Sequence, residues 1–263
     1  MALNTSGVLE SCSVTQGGVY DITEYGGSGG MVNGGLYADG AEIAAQFSLS
    51  AGQTFEVVTG ATGVSSGLSS SGGGGTFFVL DSGGTLTPYL VAGGGGGGSL
   101  QPAYYGQGGQ VSGNPSLESG DGGTGYYAGS GGGYLTSGGN GIDSSLGGGS
   151  FVGQPVGSTY AGSGGEALYV SGVYAGGGGG GYDGGDGANA NNGYAGNGGT
   201  NYYDPNLATN VTQAAGASDT TSVTVGQIDF TLVSPSSVPE PPAILLSATF
   251  LGLLAFVRYR VKV

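Results

Sequence analysis

Two runs of six consecutive glycines, Gly93 to Gly98 and Gly176 to Gly181, constrain this chain more than any other feature, because neither can bury a side chain. Each follows an alanine, Ala92 or Ala175, and gives way to Ser99 or Tyr182. If such a run is ordered, its backbone must supply the stability. The conformation open to it is the extended left-handed helix of the polyproline II type, with three residues per turn, about 3.1 Å rise and no internal hydrogen bonds. Six glycines then make about two turns, or roughly 19 Å. Without Cβ atoms, several such helices can lie side by side, each N–H meeting a carbonyl of a neighbour, with Cα–H···O contacts adding a weaker term. Ordering glycine costs more conformational freedom than ordering any other residue. The tracts are therefore expected to pack only where β-strands at their ends hold them in register.

Strand signals lie between the tracts. The run Ser13 to Tyr25 alternates apolar and polar residues as a half-buried strand does, and Glu42 to Val58 reads as two strands joined by the turn Ser50-Ala51-Gly52-Gln53. Thr76 to Leu80, Tyr89 to Val91, Ser150 to Val152, Ala167 to Val170, Ser222 to Val225 and Gln227 to Val233 complete the set. No segment before the C-terminal tail holds a 3.6-residue period, so the expected fold is all-β, a sandwich-like core carrying packed polyglycine helices over residues 1–233. Gly-Gly-Gly-Thr76-Phe77-Phe78 is echoed by Gly-Gly-Gly-Ser150-Phe151-Val152, and the two hexaglycines echo each other, as in two imperfect passes of one plan.

The order of these pieces resembles the glycine-rich domain of receptors of the anaplastic lymphoma kinase family and of bacterial glycine-rich surface proteins. The likeness rests on Tyr20-Asp21-Ile22 running into Gly-Gly-Ser-Gly-Gly, Ala41-Glu42-Ile43 before Phe47-Ser48-Leu49-Ser50-Ala51-Gly52, and Thr76-Phe77-Phe78-Val79. It continues through Leu90-Val91-Ala92 before the first hexaglycine, Gly-Gly-Tyr182-Asp183-Gly-Gly-Asp186-Gly, and Ile228-Asp229-Phe230-Thr231-Leu232. The resemblance implies a β-sandwich with packed polyglycine helices and a binding role in place of a catalytic one. The chain departs from the receptors in having a single cysteine and no kinase segment, so receptor-type ligand recognition does not carry over.

Charge narrows the function. Residues 1–237 hold 16 acidic side chains and no Lys or Arg, which excludes nucleic acid as a partner and points to cations, neutral glycans or protein surfaces. Cys12 is the only cysteine and there is no histidine, so no disulfide, zinc site or Cys-His pair can form within one chain. With a quarter of positions glycine, G-x-G-x-x-G arises by chance roughly four times, and a phosphate loop needs a lysine that residues 1–257 lack. The carboxylates stand singly among glycines, so a glycoside-processing enzyme is the last alternative. Calcium has two candidate ligands. Gly138-Gly139-Asn140-Gly141-Ile142-Asp143 and Gly184-Gly185-Asp186-Gly187-Ala188-Asn189 approach the G-G-x-G-x-D β-roll repeat, nominating Asp143 and Asp186, although such rolls need tandem copies. Tyrosines occur in pairs or beside glycine, as at Tyr104-Tyr105, Tyr126-Tyr127 and Tyr202-Tyr203. They either stack on sugars or cover the glycine tracts.

The last 26 residues are different in kind. Val238-Pro239-Glu240-Pro241 is stiff and extended, Ala243 to Val257 is an uncharged apolar run, and Arg258, Arg260 and Lys262 are the only basic side chains of the protein. This pattern predicts a membrane-spanning helix whose basic end stays cytoplasmic, with residues 1–237 on the far side and Ser234 to Ser237 as linker. Pro-Glu-Pro, apolar helix and basic end together resemble the PEP-CTERM sorting signal of Gram-negative bacteria. The resemblance implies cleavage by the membrane protease exosortase and delivery to the cell surface or extracellular matrix. An exported chain also needs a basic then apolar leader, which MALNTSGVLESCSV lacks, so either a leader precedes Met1 or the tail alone drives insertion. The expectation is a non-enzymatic surface or exopolysaccharide-matrix protein without a cofactor, the alternative being a calcium- or glycan-binding adhesin.

Overall fold

The structure, a computed structural model, describes residues 2–3, 7–32, 36–65, 67–100, 105–159, 161–170, 172–189, 194–218 and 223–236. Its strands are β1 (Ala2–Leu3), β2 (Glu10–Ser13), β3 (Gly18–Tyr25), β4 (Glu42–Leu49), β5 (Thr54–Val58), β6 (Thr76–Asp81), β7 (Leu86–Ala92), β8 (Leu168–Val170), β9 (Val173–Ala175), β10 (Tyr202–Tyr203), β11 (Thr209–Ala214) and β12 (Gln227–Pro235). Helix is confined, among these residues, to two single 3-10 turns, Pro115–Leu117 and Ile142–Ser144. The protein is all-β.

Two five-stranded antiparallel sheets, ordered β1-β12-β3-β4-β11 and β10-β7-β6-β5-β2, face each other, and β8 and β9 form a separate hairpin. The core between them is built by alternation: Ile22, Ile43, Ala45, Phe47, Leu49 and Ile228 from one sheet meet Phe55, Val57, Phe78, Tyr89 and Leu90 from the other. Phe55 stacks on Phe78 with centroids 4.0 Å apart, and the Tyr89 ring meets Phe55 edge-on at 5.2 Å. Each aromatic ring buries on the order of 150–250 Å², so these three positions carry much of the sandwich's stability.

The turn 50–53 carries the chain from one sheet to the other, with Gly52 at φ +89° and the Ser50 N–H held by Gln53 Oε1 at 2.7 Å. The expected strand Ser13 to Tyr25 is two strands: β2 ends at Ser13, the chain crosses between sheets over 14–17, and β3 starts at Gly18. Ser150 to Val152 is a tight turn before Gly153 (φ +88°), its Phe151 and Val152 amides taken by Gly133 and Tyr134 carbonyls, so it has no strand to pair with. Val223 to Val225 is likewise not a strand, because the Thr224 carbonyl accepts from the Ser28 N–H and the Thr224 N–H donates to the Ser28 hydroxyl; Ser222 lies outside the described residues. The sheet runs on through Ser234 and Pro235, which pair with Val19 and Gly18, so the strand reaches two residues into the expected linker.

At one end of the sandwich β3, β5 and β7 run straight into glycine segments, and β4, β6 and β12 emerge from them. There the second hexaglycine is the axis of a lattice. Amides of Gly176 and Gly179 donate to Tyr194 and Asn197, those of Gly177 and Gly180 to Ser70 and Gly73, and those of Gly178 and Gly181 to Gly129 and Gly132. Its carbonyls follow the same step of three. Those of Gly176 and Gly179 accept from Ala188 and Gly185, those of Gly177 and Gly180 from Gly97 and Gly94, and that of Gly178 from Gly165. One tract thus bonds to six neighbours in turn and never to itself, which is how a helix of three residues per turn presents its backbone. The first hexaglycine lies beside the second, antiparallel to it, through Gly94 N–H to Gly180 O at 2.7 Å and Gly97 N–H to Gly177 O at 2.8 Å.

No helix among the described residues is long and apolar enough to cross a membrane. The apolar run Ala243 to Val257, the motif Val238, Pro239, Glu240 and Pro241, and the basic Arg258, Arg260 and Lys262 lie outside the described residues.

Candidate functional site

Where the sandwich meets the lattice, five aromatic rings stack in a row from core to surface. Phe77 lies 4.9 Å from Phe151, Phe151 5.9 Å from Tyr134, Tyr134 5.6 Å from Tyr182, and Tyr182 3.9 Å from Tyr202. Tyr134 and Tyr182 directly follow runs of glycine, and Tyr202 follows Gly198-Gly199 after Thr200 and Asn201, so each ring lies just beyond a glycine segment that has no side chain of its own. The backbone sets their spacing. Tyr134 N–H donates to Tyr182 O at 2.8 Å, Tyr182 N–H to Thr200 O at 3.0 Å, and Tyr202 pairs with Val91 at the sheet edge. The Tyr134 hydroxyl donates to Leu86 O at 3.1 Å. Phe77 and Phe151 are buried, whereas Tyr182 and Tyr202 are half-buried and keep one edge in solvent.

Carboxylates gather at that exposed edge. Asp183 Oδ1 accepts from the Gly120 and Asp121 amides at 2.7 and 3.1 Å and from the Ser119 hydroxyl at 3.3 Å, which fixes the 119–121 turn. Glu118, just before that turn and half-buried, accepts from the Thr200 hydroxyl at 3.4 Å. Burial, reinforced by the charge of Asp183, pushes its carboxyl up to about 7 against the opposing pull of the Ser112 and Thr200 hydroxyls. A carboxyl that changes charge near neutrality beside stacked tyrosines gives this edge a pH-dependent polar face. Carbon-13 NMR of glutamate carboxyls should show one resonance with a midpoint about 7, lost in Glu118→Gln. If every glutamate midpoint in that region falls below 5.5, the burial argument fails.

The calcium candidates do not converge. Asp143 is exposed in a left-handed turn at φ +49°, and Asp186 is engaged as the acceptor for the Thr124 amide at 2.7 Å. In the first motif Asn140 Oδ1 takes the Gly147 amide at 2.9 Å, so the motif serves the lattice. Among the described residues no three metal-ligating side chains come together. The tyrosine pairs split by strand and turn geometry: Tyr203 packs on the sandwich core while Tyr202 joins the ladder, and Tyr127 meets Tyr194 in a tilted contact at 5.7 Å while Tyr126 stays exposed. Tyr104 lies outside the described residues.

Sequence reasoning passed over two acids. Glu118 left no signal, because its burial is tertiary and two of the groups that perturb it, Asp183 and Thr200, are far along the chain. Glu24 did leave one: it shares the inward parity of Tyr20 and Ile22 on β3. It is fully buried at the seam of sandwich and lattice, and neither carboxyl oxygen has a hydrogen-bond partner of ordinary geometry. Burial pushes its carboxyl well above the usual carboxylate range, with only the Ala92 backbone amide pulling the other way. Such burial favours the neutral form of the carboxyl over the ionised one. No known protein family matches the chain, and no curated protein is similar to it in sequence.

Proposed function

We propose that the protein is a non-enzymatic structural component of the cell surface or of an exopolysaccharide matrix, exported and delivered by a cleavable C-terminal sorting tail. The observation that carries this reading is the charge map: every basic side chain lies at 258, 260 or 262, directly after an uncharged apolar run and a Pro-Glu-Pro element. Only a membrane boundary makes such segregation useful, since it stops the tail with its cations on one side. A lattice of backbone hydrogen bonds built largely from buried glycines suits load-bearing or spacing better than turnover. The processing partner is an exosortase-like protease acting near Val238, Pro239, Glu240 and Pro241; the final partners are matrix polysaccharide or other surface proteins.

Deleting Val238 to Val263 should release the protein from the membrane fraction into the soluble exported fraction. Glu240→Ala or Pro241→Ala should leave a full-length species in the inner membrane. Both are read by fractionation and immunoblot. Continued sedimentation of the tail-less protein with membranes would place the anchor elsewhere. A second reading, a glycan-binding adhesin, is favoured by the exposed edge of Tyr182 and Tyr202 next to Glu118. Calorimetric titration with matrix polysaccharide separates the two, since a purely structural protein gives no heat and an adhesin loses its heat in Tyr202→Ala.

A further inference from the structure

The end of the sandwich away from the glycine lattice is formed, among the described residues, by the crossover 14–17, the turns 50–53 and 82–85, and residues 234–236 where β12 finishes. Every side chain in these four segments is uncharged, and Asp81, the acid that borders them, has its Oδ1 taken by the Gly84 amide at 2.7 Å. The lattice is different, since it carries Asp39, Asp121, Asp143, Glu166, Asp183 and Asp186. An acidic chain thus presents one neutral end. The chain also leaves the sandwich there, with the Ser236 N–H donating to Gly17 O at 2.8 Å. Residues 237–242 alone separate that point from the apolar run beginning at Ala243, and seven fully extended steps cover at most about 25 Å.

A cavity of about 360 Å³ lies between the two sheets at this same end. It is walled by the stacked rings of Phe55 and Phe78, by Leu49 and Leu232, and by Phe230, which meets Phe78 edge-on at 5.4 Å. The exposed Thr15 and Gln16 of the crossover form part of its rim. Sites for polar small molecules orient them with a few convergent polar groups. Here the polar groups of the lining lie toward the crossover and are already engaged in part: the Tyr20 hydroxyl donates to Gln16 O at 2.6 Å, and the Ser13 hydroxyl pairs with that of Thr54 at 3.3 Å. A wall of this kind suits hydrocarbon, and filling it recovers the packing that an apolar void forfeits.

We propose that this cavity takes one acyl chain of a bilayer lipid, with the neutral end of the sandwich set against the membrane surface. The proposal rests on the reading of the tail as a membrane span, which holds this end and not the lattice near the bilayer. Charge favours the same orientation, because anionic headgroups repel the carboxylates of the lattice and meet none in the four segments of the neutral end. Leu232 and Val233, exposed at 36 % and 51 %, add apolar surface on β12 at that end. A sandwich held in this way keeps Val238 to Pro241 at the bilayer surface, within reach of a membrane protease.

The test uses the full 263-residue chain in nanodiscs doped with a phosphatidylcholine that carries a photoreactive diazirine at the end of one acyl chain. After illumination, adducts are mapped by mass spectrometry of fragments cut at glutamate. The fragments holding Phe55 and Phe78 should be labelled together with the apolar run 243–257. Val14→Trp, which fills the cavity from the crossover, should cut the Phe55 and Phe78 adducts at least fivefold and leave those of the tail unchanged. Leu232→Trp does the same from β12, and circular dichroism selects whichever variant is folded. A labelled tail with an unlabelled Phe55 and Phe78 overturns the acyl-chain proposal and leaves the sorting tail standing. An unlabelled tail overturns the membrane reading, and the proposal falls with it. Core labelling that a folded filling variant does not reduce means that the lipid reaches these rings by another route, which also overturns the cavity as its site.

Discussion

Gly178→Val should cost several kcal/mol of stability and Gly95→Val a similar amount, enough to consume much of the roughly 5–15 kcal/mol that holds a typical domain. A Cβ at Gly178 would overlap the Gly185 carbonyl oxygen, and one at Gly95 the Ala38 carbonyl oxygen. Neither neighbour can retreat without breaking its own rung. Gly178 donates to Gly129 O at 3.0 Å and accepts from Gly165 N–H at 2.8 Å, while Gly95 donates to Gly27 O at 2.9 Å and accepts from Gly73 N–H at 2.8 Å. Each buried amide left without a partner costs about 1–3 kcal/mol, and displacing one tract strands at least two. The control is Gly113→Ala, where an added Cβ meets nothing within 4 Å and φ is not left-handed. That variant should melt within about a degree or two of wild type, the scale of an indifferent surface change. Equal melting temperatures for all three variants and wild type would mean that the tracts are spacers. Hydrogen exchange checks the same point independently, since lattice amides should be protected like core strands.

The protein should be most stable in mild acid and lose stability as the pH rises, the reverse of the usual acid-labile pattern. Glu24, Glu118 and Glu56 are all raised in the folded state, in each case chiefly by burial. For a carboxyl with a folded pKa above its unfolded value, the folded state binds the proton more tightly. Its stabilising contribution is therefore complete below about 4.5 and is lost as the pH climbs through the folded pKa, with a limiting slope of about 1.4 kcal/mol per pH unit per group. For Glu118 the window closes at about 7, and the fully buried Glu24 is shifted in the same direction. No cation in residues 1–257 can offset the charge that develops. Melting temperatures measured from pH 4.5 to 9 should fall steadily, and Glu24→Gln should remove the largest part of the slope. A flat or rising profile, or an unchanged slope in Glu24→Gln, would show that the carboxyl is solvated and not sealed in the seam.

How much of this was legible beforehand depends on whether the property is local. That the hexaglycines bond through their backbones to neighbouring segments followed from their having nothing but backbone to offer. That Thr76 to Leu80 and Gln227 to Val233 are strands followed from apolar runs bounded by glycine. The tail's apolar and charged segregation is equally local, and it is there that the proposed sorting function rests. What the neighbours of each tract would be had no sequence counterpart, because glycine carries no pattern by which one tract can be matched to another.

The tertiary structure alone decided that Gly178 contacts Gly129, Gly165 and Gly185, and that the two hexaglycines lie antiparallel. It also decided that the echo of Thr76-Phe77-Phe78 at Ser150-Phe151-Val152 is a turn. The first triplet has β5 and β7 on either side, and the second finds no open strand to pair with. The break of the Ser13 to Tyr25 run at 14–17 has the same origin: alternation records which face a residue occupies and not which sheet the strand belongs to. Glu118 acquires its raised pKa first from burial and then from the charge of Asp183, which is distant in the chain. Glu24 was half-legible, since its parity with Ile22 pointed inward, but its lack of a partner arises only when β7 closes over it. Side-chain period is written in the sequence, whereas burial, partnership and charge balance arise from segments that meet only on folding.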